Sequence, residues 1–215
     1  KKEDLIKTDH AAMECIPKDR RGQDMDNWIW IRDAEKNTLV VGTQARILYQ
    51  DALGRMNIAL RFNEMVRRGE VGPIMLGRDH HDVSGTDSPF RETSNIKDGS
   101  NVMADMAVQC FAGNCARGMS LVALHNGGGV GIGKAINGGF GMVCDGSKRV
   151  DRILRSSMLW DVMGGVARRS WARNPHAMET SAEFNESHAD GYHITLPHIA
   201  EDDLINKVLK NKGIN

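Results

Sequence analysis

Two stretches of the chain combine reactive side chains with unusual backbone freedom. The first runs Leu124-His125-Asn126-Gly127-Gly128-Gly129-Val130-Gly131-Ile132-Gly133-Lys134, where an apolar strand pattern, Met119 to Leu124, leads into five glycines within seven residues. Residues without side chains take positive φ and let a backbone come close to a bound group. Consecutive N–H groups in such a loop form a concave site for an anion or a polar cofactor. A tight, glycine-dependent turn inside a packed core is the alternative. The second stretch, Arg78-Asp79-His80-His81-Asp82-Val83-Ser84-Gly85-Thr86-Asp87-Ser88-Pro89-Phe90-Arg91-Glu92-Thr93, is dense in ionisable groups of both signs. A carboxylate beside an imidazole passes protons near neutral pH, because each tunes the other's pKa. Arg91 or Arg78 could fork onto a substrate carboxylate through two parallel hydrogen bonds.

Spacing narrows the chemistry. Gly128, Gly133 and Lys134 stand where a P-loop needs them, but Ala135 replaces the hydroxyl that would hold magnesium. The dinucleotide fingerprint fails too: Gly129 and Gly131 fill its first two places and Lys134 the third. A divalent metal on Asp79, His80, His81 and Asp82 is disfavoured, since adjacent side chains in extended backbone point to opposite faces. A solvated charged turn remains open for the polar stretch. Loops longer than about 12–15 residues are usually functional or disordered, and Pro89 with Phe90 argues against disorder.

These loops need a scaffold, and 215 residues can supply a sizeable core as one large domain or two small ones. The 28 acids and 28 bases balance, so no basic face calls for nucleic acid and no polybasic run for a membrane. No apolar run approaches the roughly 20 residues of a membrane span. The N-terminus lacks the apolar core of a signal peptide. Cys15, Cys110, Cys115 and Cys144 show neither zinc spacing nor a dense disulfide framework, which fits a reducing cytosol. The first residue, Lys1, suggests a chain cut from something longer.

The patterning predicts helices at 26–34, 56–68, 102–110, 150–162, 176–184 and 201–210. The 56–68 helix carries Ile58, Phe62, Met65 and Val66 on one stripe with Gly69 as its stop; the 150–162 helix turns Val150, Ile153, Leu154, Met158 and Val162 inward. Strands are expected at 38–41, 45–49, 73–77, 119–124, 140–144 and 193–196. Strands alternating with helices imply an α/β domain with a mostly parallel sheet flanked by helices. In such sheets ligands gather at the carboxyl ends of strands. Both unusual loops leave strand ends, so if they are neighbours they form one site.

Long runs of the sequence resemble one family, urocanase (urocanate hydratase). They are Val41-Gly42-Thr43-Gln44-Ala45-Arg46-Ile47, Gly77 through Asp82, Ser88 through Thr93, Leu124 through Gly131, Ile136-Asn137-Gly138-Gly139-Phe140-Gly141, and Trp160-Asp161-Val162 with Gly165-Val166-Ala167-Arg168-Arg169. The wording His-His-Asp-Val-Ser-Gly-Thr-Asp-Ser-Pro is closest to the animal-type branch. The resemblance implies that residues 1–215 are the C-terminal part of a longer enzyme's catalytic core, with an N-terminal segment and a Rossmann-like NAD domain absent. The segment alone is then expected to be inactive. The implied reaction adds water to urocanate, giving imidazolonepropionate in histidine breakdown, with tightly bound NAD as an electrophile rather than a net oxidant.

By the same resemblance, Asp82 with Asp79, His80 and His81 would move protons and align water. Arg91 would hold the substrate carboxylate or an acid, and Arg46 is either a second substrate contact or half of a structural pair. Gly127, Gly128, Gly129 and Gly131 would be this segment's contribution to NAD. The implied partners are urocanate and the rest of the same polypeptide, in a cytoplasmic homodimer, with no metal. Many bacterial members have a cysteine where Leu48 stands, so no role of that cysteine carries over. An NAD-like ligand-binding protein without turnover is the alternative.

Overall fold

The computed structural model describes residues 1–19, 22–37, 46–78, 81–83, 104–125, 136–188 and 191–212. Three helices come first: α1 (Lys2–Cys15), α2 (Gln23–Arg32) and α3 (Ala52–Arg67). Strands β1 (Ile74–Gly77) and β2 (His81–Val83) precede helix α4 (Ala104–Arg117). Then come β3 (Leu121–His125), β4 (Ile136–Cys144), α5 (Lys148–Trp171), α6 (Pro175–Ser187) and α7 (Leu204–Asn211).

The sheet corrects the expected fold class. It has four strands among the described residues, and every pairing is antiparallel. β4 is its axis: β3 lies along one edge, while β1 and β2 lie one after the other along the opposite edge. A parallel neighbour needs a crossover of a dozen or more residues, usually a helix. The β3–β4 connection spans only residues 126–135, so those strands fold back as a hairpin. Apart from α4, which falls between β2 and β3, the helices run before or after the strands, giving an α+β arrangement in place of the mostly parallel α/β sheet that alternation suggested.

Helix α3 is set by its ends and its stripe. The Asp51 carboxylate caps it by accepting from the Gly54 N–H at 2.7 Å, and Gly69 at φ +71° lets the chain turn away. Ile58, Phe62 and Met65 are buried against Ala11, Ala12, Ile16 and Ile31 of the N-terminal helical layer. On its other side Ala59 joins Phe140, Met142 and Cys144 of β4 and Val150, Ile153, Leu154 and Met158 of α5. Burial pushes the Cys144 thiol up to about 12, so it behaves as a core group and not as a nucleophile. A third cluster, Ala52, Leu159, Met163 and Phe184, closes α5 onto α6.

Several elements differ from the sequence expectation. Helix α5 passes through Gly164 and Gly165, where the pattern stopped at Val162, because packing against α6 sustains it. Residues 46–49 form no strand; the buried Asn27 amide takes the place of a sheet partner, donating to Ile47 O and accepting from Tyr49 N, both at 2.8 Å. Residues 193–196 likewise lack a strand, and the Asn185 amide pairs with the backbone of Ile194 in the same manner. The expected strand at 38–41 lies outside the described residues.

Asn63, fully buried on α3, holds the start of α5. Its amide nitrogen donates to Ser147 O at 3.0 Å and Asp151 Oδ1 at 2.6 Å, and its oxygen accepts from Gly146 N at 2.8 Å. Gly146 adopts φ +83° with its Cα facing the Arg67 backbone, so only glycine fits that turn. Replacing Asn63 by Ala strands a buried N–H and two acceptors. We expect a loss of about 2–4 kcal/mol in chemical unfolding; an unchanged midpoint would show that water replaces the amide without cost.

Candidate functional site

The antiparallel register brings the anchors of both unusual loops to one end of the sheet. Val83, the last residue of β2, pairs with Ile136, and His125, the last of β3, pairs with Asn137. The segment after β2 and the glycine-rich segment after β3 therefore leave from the same end of β4, on its two sides. Asp82, Asn137 and His125 occupy one row across three strands. With neighbouring strands about 4.8 Å apart, the backbones of Asp82 and His125 are roughly 10 Å from each other.

The register also shifts by one residue within this edge. Gly77 pairs with Gly141 and His81 with Gly138, so three residues separate the pairs on one strand and two on β4. Such shifts are common next to active sites. His81 and Asp82 are placed by their backbone in β2. Asp79, His80, Arg91, Gly127, Gly128, Gly129 and Gly131 lie outside the described residues.

Beside the point where β1 ends is a cavity of about 220 Å³, lined from five parts of the chain, with Tyr49, Arg55, Arg78, Cys110, Trp160 and Asp161 among its walls. Arg168 and Arg169 also line it, each with interactions of its own, and Asp161 is the one carboxylate among the described lining residues. Asp161 is only 2% exposed and sits between two arginines. Arg78 Nη1 is 2.7 Å from its Oδ1 and Arg55 Nη1 is 3.5 Å from its Oδ2.

The Oδ1 contact is an ion pair without hydrogen-bond geometry; the Arg78 Nη1 hydrogen goes to the Asp161 carbonyl oxygen at 3.0 Å. Burial, and then the neighbouring Arg78, pull the Arg55 pKa down, while Asp161 opposes them. Breaking a buried pair of this kind by removing one partner costs about 3–5 kcal/mol.

Trp160 forms the adjoining wall. Its indole occupies the space that any side chain at Gly113 would need, and the Arg117 guanidinium lies 4.4 Å from the ring centroid. Cys110 also borders the cavity, its sulfur accepting from Asn114 at 3.4 Å and its thiol pKa raised by burial. Sequence reasoning gave Arg55, Trp160 and Asp161 no site role. A signal was present for Asp161: it follows Leu154 and Met158 at helical spacing on the inward stripe, where a charge demands a partner.

Arg46 is engaged away from this cavity. Its guanidinium, 7% exposed, pairs with Asp9 of α1 at 3.0 Å and with Glu35 at 2.9 Å. Burial opposes its charge, but hydrogen bonds to Glu35 and Asp9 outweigh that and raise its pKa. The geometry supports the structural-pair alternative for this residue. We expect Arg46→Ala to lower stability by about 3–5 kcal/mol, because Asp9 is left buried and unpaired. Near-native thermal unfolding with a raised KM in the full-length parent would instead mark a substrate contact.

Residues 1–183 match the family model described as the urocanase C-terminal domain. Among curated proteins, the chain is 50% identical over 218 residues to a urocanate hydratase of Mus musculus, covering 97% of this chain and 32% of that protein. It is 52% identical to a probable urocanate hydratase of Caenorhabditis elegans with the same coverages, and 53% identical over 184 residues to a urocanate hydratase of Homo sapiens, covering 85% of this chain and 27% of that protein. The chain thus spans about a third of the length of the relatives it matches. With the family model covering most of its length and animal relatives sharing half its residues, this chain belongs to the urocanase C-terminal domain family.

Proposed function

We propose that the polypeptide containing this chain is a urocanate hydratase, and that residues 1–215 supply the C-terminal part of its catalytic core. The observation that carries this reading is the identity of about one half, maintained over 97% of the chain, to proteins bearing that name. The reaction is a hydration: water adds across the conjugated system of urocanate to give imidazolonepropionate. The rest of the same polypeptide completes the site, and the segment by itself is inactive. The intact enzyme is a cytoplasmic homodimer by family resemblance.

Such a hydration needs a group that exchanges protons with the substrate, a counter-charge for its carboxylate, and a polarising partner for the conjugated system. Asp82, in the row with Asn137 and His125, is assigned the proton transfer, with Asp79, His80 and His81 as its neighbours in the chain. Arg91 is assigned the carboxylate. NAD is the fitting polarising group, because it supplies an electrophilic, positively charged ring. The residues are compatible with it: arginines and the Trp160 indole line the cavity beside the end of β1, and the glycine-rich segment starts at the end of β3. Gly127, Gly128, Gly129 and Gly131 would hold it through backbone N–H groups. Here the chain's own residues bind and orient, and the carboxylates move protons.

The test is loss of urocanate ultraviolet absorbance with the full-length parent, NAD and the chain alone. We expect turnover by the parent and none by the chain. In the parent, Asp82→Asn should lower kcat by about 10²–10⁴-fold, the range for removing a general acid–base group. A parent that binds NAD but leaves urocanate intact would favour a ligand-binding protein without turnover.

A further inference from the structure

We propose that Asp161 is a positioning residue for the reaction, acting through Arg78 to fix the register of β2 and hence the place of Asp82. This rests on the hydratase reading above. β2 has three paired residues, too few to specify its own register firmly, and a slip by one residue would carry every side chain to the other face. The one-residue shift in pairing lies between Gly77 and His81, so something at that boundary must hold it.

Arg78 stands at that boundary and is fixed at both ends. Its backbone N–H donates to Phe140 O of β4 at 3.2 Å, which sets the last paired position before the shift. Its guanidinium reaches α5, where Nη1 donates to the Asp161 carbonyl and lies 2.7 Å from Oδ1. Arg55 holds the same carboxylate from α3 and donates through Nε to Gln50 O at 2.7 Å. One buried carboxylate therefore ties the sheet edge to two helices, four residues before Asp82. Among the described residues, the link from Asp161 toward β2 runs through Arg78.

The experiment compares the full-length parent with Asp161→Asn and Asp161→Glu, measuring kcat, KM and melting temperature for urocanate. We expect the Asn variant to lose about 10–100-fold in kcat, the scale of an ångström's misplacement, with KM changed by less than about threefold. The Glu variant restores the charge and should recover most of that kcat. An Asn variant within about twofold of wild-type kcat overturns the inference, as does a Glu variant as slow as Asn at equal melting temperature. If the Asn variant does not fold, Arg78→Lys decides. It keeps a charge for Asp161 but not the reach to carboxylate and carbonyl together; the same kcat loss is expected, and full kcat, or a raised KM with unchanged kcat, contradicts it. A wild-type parent without turnover removes the hydratase reading and this inference together, whereas a working parent with an unaffected Asn variant removes only this one.

Discussion

Strand β4 uses both of its edges, and the site depends on that. Along one edge it pairs with β3 from His125 to Leu121, and along the other it pairs first with β2 and then with β1. Backbone hydrogen-bonding groups in a buried strand must be paired, so the three neighbours are held in fixed register by the same nine residues of β4. Two segments distant in sequence, one rich in acids and imidazoles and one rich in glycine, therefore start from strand ends on either side of β4. The buried face that makes this register worth keeping is Phe140, Met142 and Cys144 against α3 and α5.

Charge does the complementary work at the other end of β2's connection. A carboxylate as buried as Asp161 persists only with compensation, and two guanidiniums from different elements supply it. The arrangement constrains three elements at once: α3 through Arg55, the sheet edge through Arg78, and α5 through Asp161. Arg168, Arg169 and Trp160 line the same cavity. A pair of the same kind, Arg46 with Asp9 and Glu35, fastens α1 to the segment leading into α3. In both places arginines add charged ties between elements that also share an apolar core.

Local elements were legible from sequence where burial has a single period. Ile58, Phe62 and Met65, and Val150, Ile153, Leu154 and Met158, are buried as their spacing required, while Val66 and Val162 of the same stripes are only half-buried. Strands β1 and β3 fall on the apolar runs, and β4 covers the expected 140–144 and extends back to Ile136 through residues read as loop. Topology was not legible, because an alternation of strands and helices says nothing about which strands pair; the short glycine-rich link between β3 and β4 was the clue to a hairpin. Helix α1 escaped notice because its buried face includes Thr8 and Asp9, polar groups satisfied locally or by Arg46. The two reactive loops were picked out by residue type alone. The Arg55–Asp161–Arg78 cluster was not, since its members are 23 and 83 residues apart and meet only in the fold.

The chain belongs to the urocanase C-terminal domain family, and we propose that it presents its chemistry at one end of a small antiparallel sheet and relies on the remainder of its polypeptide for the rest of the site. The most direct test is an experimental structure of the full-length parent with urocanate and NAD bound. The account predicts both ligands at the end of the sheet where β2 and β3 terminate, with Asp82 and the Gly127–Gly131 segment against them and Arg78 still seated on Asp161. Ligands bound at the opposite end of the sheet, next to Ile74 and Cys144, would contradict it.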